Sequence, residues 1–241
     1  MTGEPRVRLH EMRGQRVIVT GGSRGIGRGI ADVLARRGHL VGCLARSRES
    51  LDEWAGQVRA AGGRAETAAV DLREPDAVFA ACETMVASLG GVDALINNAG
   101  WVVRKGIEEI SVEEWQQIQR TNVDGLFYAT KAILPHFIAQ QRGTYINVSS
   151  ISGKVPFPGG SAYAASKYAV TGFSESLFHE VRDHGIRVSI LFPGSVSETS
   201  GDPDDWRISP EDVGETCAHI LEAGENNCLH QVEIRPRRRP S

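Results

Sequence analysis

The chain has 241 residues, 41% of them hydrophobic and 24% charged, which is enough for one substantial core and short for two. A formal net charge of −3 offers no general attraction to nucleic acid, and no apolar run approaches the ~20 residues needed to span a bilayer, so neither nucleic acid nor membrane is expected as a partner. The four cysteines Cys43, Cys82, Cys217 and Cys228 form no C-x-x-C pair, so no metal site and no disulfide framework is expected.

The opening stretch MTGEPRVRLHEMRGQRVIVTGG contains no apolar segment before a small-residue cleavage site, and a cytoplasmic location is expected. Short runs rich in Val, Ile and Leu then alternate with longer segments of helical period. Strands are predicted at 16–20, 40–45, 66–70, 94–97, 144–148, 187–192 and 231–234. Between the first two, Ile26, Ile30, Val33 and Leu34 form one apolar helical stripe. Further helices are predicted at 49–61, 75–89, 112–141, 161–184 and 210–223. This alternation predicts an α/β fold, a single Rossmann-type doubly wound domain over 1–241 with seven parallel strands and helices on both faces. Ligands of such sheets sit outside the carboxyl ends of the strands.

The first strand runs into Thr20-Gly21-Gly22-Ser23-Arg24-Gly25-Ile26-Gly27 and then into the striped helix. Glycines before a helix serve any tight turn. In this strand-loop-helix context Gly21 suits the turn, Gly25 admits a pyrophosphate close to backbone, and Gly27 lets helix and strand pack closely, with the N–H groups around Ser23 and Ile26 facing the phosphates. The second strand ends Leu44-Ala45-Arg46-Ser47, without the carboxylate that would accept from the ribose of NAD. Arg46, Ser47 and Arg24 can instead hold a 2′-phosphate, so NADP(H) is expected over NAD(H). Asp71 and Leu72, after the third strand, are placed at the adenine, although an Asp there could equally cap the following turn.

Tyr163 and Lys167 stand at i and i+4 on one face of the 161–184 helix. The ammonium and an oxidised nicotinamide are expected to lower the phenol pKa so that it exchanges protons. Ser150, ending the fifth strand, can steady a substrate oxygen. Asn122 lies inside the 112–141 helix, where Asn has no propensity advantage and can bend the ladder around a water, making it a candidate proton relay or a residue paired with a neighbouring carbonyl.

The series Thr20-Gly-x-x-x-Gly-x-Gly27, Asn97-Asn98-Ala99-Gly100, Asn122, Ser150, Tyr163-x-x-x-Lys167 and Pro193-Gly194 resembles the short-chain dehydrogenase/reductase family over nearly the whole chain, in the manner of a 3-oxoacyl-carrier-protein reductase with a short substrate lid. The resemblance implies catalytic Asn122, Ser150, Tyr163 and Lys167 and hydride transfer at a nicotinamide. It places Asn98, Ala99 and Gly100 on the adenosine ribose side, and Pro193, Gly194 and the Val196 backbone at the carboxamide. It also implies a homodimer or homotetramer built on the two long helices.

Two departures bear on substrate. The family often has Thr where this chain has Glu198, with Ser197 or Thr199 as substitutes. The lid, about 195–209, is short, and the Arg-rich end, 235–241, is read as a solvated tail. An open pocket lined by Trp101, Val155, Phe157 and Trp206 is expected, taking a small-molecule or carrier-bound carbonyl or alcohol. The expected activity is NADP(H)-dependent interconversion of a carbonyl and a secondary alcohol, with Tyr163 as acid and base. The alternatives are an alcohol or polyol dehydrogenase working oxidatively and a non-catalytic nucleotide-binding sensor.

Overall fold

The structure, a computed structural model, describes residues 14–197, 205–224 and 226–238. The strands are β1 (Arg16–Thr20), β2 (Leu40–Ala45), β3 (Arg64–Ala69), β4 (Ala94–Asn97), β5 (Gly143–Val148), β6 (Ile186–Pro193) and β7 (Gln231–Ile234). They form one sheet in the order β3-β2-β1-β4-β5-β6-β7, with every pairing parallel. Successive side chains of a strand point to opposite faces. Val17 and Val19 of β1 therefore enter one core layer with Ile30, Leu34, Trp54 and Val213, while Ile18 enters the other with Val78, Ile133, Tyr145 and Leu177. Because both faces are covered, the strands read as continuous apolar runs rather than as alternations.

The first layer is closed by α1 (Gly25–Arg36), α2 (Arg48–Ala60) and α7 (Pro210–Glu222). The second is closed by α3 (Pro75–Leu89), α5 (Gly125–Gln140) and α6 (Ser161–Val181). Local chemistry sets several ends. Pro75 opens α3 and Gly90, at φ 70°, ends it, because proline is preset for the first helical position and glycine accepts the left-handed cap. Ser209 and Asp212 form a reciprocal capping box on α7, as Ser111 and Glu114 do on α4 (Val112–Gln119).

Three expectations change in detail. The third strand is Arg64–Ala69 rather than 66–70. The 161–184 helix ends its α-helical part at Val181 and closes with a 3₁₀ turn. The 112–141 helix is α4 and α5 joined through a π turn at Arg120–Asp124, a widened turn that carries Asn122. Between β6 and α7, Val196 bridges Ile208 and Ser197 N–H donates to the Ile208 carbonyl. Glu198, Thr199 and the middle of the expected lid lie outside the described residues, as do residues 239–241 of the tail. Among the described residues no helix is long and apolar enough to cross a membrane.

Candidate active site

The reversal of strand order on either side of β1 opens a crevice at the carboxyl ends of β1 and β4. Into it projects the loop that follows β1. The Gly21 amide donates to the Leu44 carbonyl at 2.6 Å, folding the loop over the end of β2. Gly25 has φ +53°, and a Cβ there would enter open space, which is the room a ligand needs at a helix start. α1 begins behind extended Arg24, without a side-chain cap and without an acidic residue in its first turn. Its first N–H groups and positive dipole end therefore face the crevice unopposed. At Gly27 a Cβ would come within 2.2 Å of the Gly21 carbonyl oxygen, so the predicted close packing is real.

Asn98 and Ala99 hold this loop from β4. Their amides both donate to Thr20 Oγ1 at 3.1 Å, and Asn98 Nδ2 donates to the Thr20 carbonyl at 3.0 Å. The predicted ribose-side residues thus act first on the protein's own backbone. A cavity of about 300 Å³ follows, running from Gly21 and Arg24 past Arg46 and Asp71 to Tyr163 and Lys167. The predicted Ser23, Ile26, Gly27, Leu72, Asn98, Ala99 and Gly100 also line it.

At its outer end Arg46 is exposed, and Asp71 is bonded to Arg73. Asp71 accepts from the Arg73 backbone at 3.0 Å and from the Arg73 guanidinium at 3.0, 3.1 and 2.5 Å. The turn-capping role is therefore present, and the carboxylate stays in the cavity wall. Arg73's hydrogen bonds hold this carboxyl below the usual range against the opposing effect of burial, and the Arg46 charge adds to them. Ser47 caps α2, its Oγ accepting from the Ser50 amide at 3.3 Å. Among the described residues no carboxylate forms a salt bridge with Arg46, which fits a 2′-phosphate.

At the inner end, Ser150 leaves β5 and accepts from the Ser152 amide at 3.1 Å. Burial holds the Tyr163 phenol above its ordinary pKa, while Ser150 and the Arg104 charge pull the other way. Lys167, 4% exposed, donates to the Val148 carbonyl at 2.7 Å and is pulled down to about 8 by burial. Its nitrogen lies 5.8 Å from the Tyr163 ring centroid. Desolvation is the largest influence on the phenol, and the cation that opposes it within the chain is Arg104.

Asn122 accepts from the Trp101 amide at 2.7 Å and donates to the Trp101 carbonyl and to Ser166 Oγ, each at 3.0 Å. Ser166 in turn donates to the Tyr163 carbonyl at 2.7 Å. A Cβ on Gly100 would stand 3.5 Å from Asn122 Oδ1 and 3.7 Å from Lys167 Nζ, so the two side chains converge beside that glycine.

The chain matches the short chain dehydrogenase family over residues 15–205. It belongs to that family. Among its relatives, a short chain dehydrogenase of Pseudocercospora fijiensis is 38% identical over 198 residues, 81% of this chain and 64% of the fungal protein. Gluconate 5-dehydrogenase of Gluconobacter oxydans is 36% identical over 186 residues, 77% of this chain and 73% of the other. A crystal structure of a metagenomic short-chain oxidoreductase in complex with NADP superimposes with a TM-score of 0.85 at 34% identity, covering 95% of this chain and 99% of that one.

In this short-chain dehydrogenase the remaining predicted residues sit less simply. Pro193 ends β6, and the Gly194 amide donates to the Ile234 carbonyl at 2.8 Å. Val196 is tied to Ile208. The Ser197 hydroxyl donates to the Ile208 carbonyl at 3.2 Å. Of the four expected pocket residues, Trp101 lines the cavity, Val155 is exposed, and Phe157 lies beneath Arg104. Trp206 does not join them. It lines a separate cavity of about 560 Å³ with Asp205, Arg207 and the first part of the tail, Arg235 to Arg238. Arg235, Arg237 and Arg238 are nevertheless exposed, as expected of a solvated tail. Sequence reasoning missed Arg104 and Thr121, the latter in the cavity wall. Arg104's position just beyond the Asn-Asn-Ala-Gly turn was the available signal.

Proposed function

We propose that this chain is an NADP(H)-dependent oxidoreductase interconverting a carbonyl and a secondary alcohol, with Tyr163 as proton donor and acceptor. The observation that carries this is the meeting of Tyr163 with Lys167 on the wall of the cavity that starts at the uncapped α1, where burial and Ser150 both act on the phenol. The first-turn amides of α1 would hold the pyrophosphate and Arg46 with Arg24 the 2′-phosphate. The similar oxidoreductase solved with NADP supports the same choice. When bound, the nicotinamide supplies and accepts hydride.

The protein's own part is proton transfer and positioning. Because burial raises the Tyr163 phenol, it keeps its proton at neutral pH and can donate it to a substrate oxygen that the Ser150 hydroxyl orients. Lys167, anchored on Val148, presents its charge to the ribose side of the cavity. Both amide hydrogens of Asn122 are spent on Trp101 and Ser166, so Asn122 acts as a positioning residue. Oxidation of a polyol is the second reading, favoured by the likeness to gluconate 5-dehydrogenase. The chain is further proposed to pair through α5 and α6, where Phe127, Ile138 and Tyr168 remain 40%, 36% and 45% exposed.

The test is a panel of carbonyls with NADPH or NADH and of alcohols with the oxidised forms. NADPH-dependent turnover is expected, and Tyr163→Phe should lower it by roughly 10²–10⁴-fold with NADPH binding retained. Binding of NADPH without turnover of any compound would favour the sensor and remove the enzymatic reading.

A further inference from the structure

Arg104 stands four residues beyond Gly100, on the loop between β4 and α4. Its guanidinium lies 5.6 Å from the centroid of the Phe157 ring. Phe157 is itself seated on Gly160, where a Cβ would come within 2.4 Å of the ring. A Cβ on Gly159 would approach the Lys105 backbone at 3.9 Å. The 101–106 and 155–160 segments therefore meet just ahead of α6, with Tyr163 three residues past Gly160. From this seat the Arg104 charge reaches the phenol and draws it downward against burial.

The neighbouring cation is not equivalent. Lys105 is neutralised by Glu114 at 2.6 Å, the same carboxylate that closes the α4 capping box. Among the described residues no carboxylate pairs with Arg104, and its contact is the apolar face of Phe157. A surface arginine is ordinarily solvated. This one is stacked on an aromatic plane beside the segment that leads into α6 and Tyr163, which leaves its planar edge of N–H donors free to grip an oxyanion in bidentate fashion.

We propose that Arg104 is a specificity-determining residue that selects substrates carrying an oxyanionic group, a carboxylate or a phosphate, near the reacting carbon. This rests on Tyr163 being the acid and base of the reaction. The same chemistry has two sources, a carboxylate on a small oxo acid or a phosphate on the arm of a carrier-bound acyl group.

The experiment compares kcat/KM, with NADPH, for 2-, 3-, 4- and 5-oxo acids against their methyl esters. A second arm compares acetoacetyl-coenzyme A against the neutral acetoacetyl-N-acetylcysteamine thioester. The wild type should prefer the charged member of at least one pair by about 10- to 100-fold, mainly through KM, as hydrogen bonds to charged groups allow. Arg104→Met should bring that ratio to within about threefold of one, with Arg104→Lys intermediate. A preference confined to the thioester pair assigns the anion to a carrier arm, and one confined to the oxo acids assigns it to a small molecule. Equal turnover of charged and neutral members by the wild type, or a ratio that survives Arg104→Met, overturns this inference alone. Absence of turnover with every compound overturns it together with the catalytic reading.

Discussion

Asn122 and Trp101 exchange two hydrogen bonds: the Trp101 amide donates to Oδ1 at 2.7 Å, and Nδ2 donates back to the Trp101 carbonyl at 3.0 Å. The side chain of one residue in a widened helical turn thus stands in for a strand partner and fixes the loop that carries Gly100 and Arg104. Asn122→Leu keeps the approximate volume but leaves the Trp101 N–H and C=O without their partner, at about 1–3 kcal/mol for each unsatisfied group. Urea denaturation should show a loss of about 2–5 kcal/mol, with kcat falling as the loop loosens. Unaltered stability in that variant would show that the pairing contributes nothing.

Lys167 gives the folded state a definite pH dependence. Burial brings its folded-state pKa to about 8 from the ordinary 10.5, so folding releases a proton between those values. The cost of the buried charge is carried in full below about pH 8 and is relieved as pH rises toward 10.5. The stability of the wild type minus that of Lys167→Met should therefore increase by about 2 kcal/mol between pH 7.5 and 9.5. Measurement stops there because Tyr163, whose pKa is raised, contributes the opposite slope above pH 10. A difference that stays flat across this window would contradict the burial of a charged Lys167.

Arg46 should discriminate between cofactors. Asp71 is held by Arg73, which leaves the exposed Arg46 for the proposed 2′-phosphate. Arg46→Ala should weaken NADPH binding about 10- to 100-fold and leave NADH within about threefold. Arg46→Asp should go further and reverse the preference. Nucleotide fluorescence titration reads both, and parallel loss of NADPH and NADH affinity would place the 2′-phosphate elsewhere.

The outward face of α5 gives a prediction about assembly. Phe127 packs edge-on against Phe173 at 6.4 Å between centroids yet remains 40% exposed, an arrangement suited to burial against a second copy. Phe127→Glu should shift the protein to monomer in light scattering coupled to size exclusion. If the assembly keeps its mass, the α5 and α6 face is not the subunit contact.

The inner strands were legible because each is buried on both faces. Four of the seven, Arg16–Thr20, Leu40–Ala45, Ala94–Asn97 and Gln231–Ile234, have the bounds that their apolar runs predict. The Rossmann order follows from their alternation with helices. β3 was harder to bound, since RAETAA is polar at a sheet edge. The glycine loop was legible too, because a tight strand-to-helix turn restricts residue type locally. The π turn at Asn122 was foreshadowed only by a polar residue in a poor helical position, and its cause, the Trp101 backbone, is twenty-one residues away.

The sequence by itself determined the sheet, the glycine loop and the one-turn spacing of Tyr163 and Lys167, which follow from periodicity and local backbone requirements, and its series of motifs carried the resemblance to the family. Only the tertiary structure decided which charges act on one another. Lys167 is drawn to the Val148 carbonyl, Asp71 is claimed by Arg73, and Arg104 is carried to the phenol on Phe157. The physical reason is that charge interactions depend on distance and desolvation, and both are set by segments that meet in space without being neighbours in the chain.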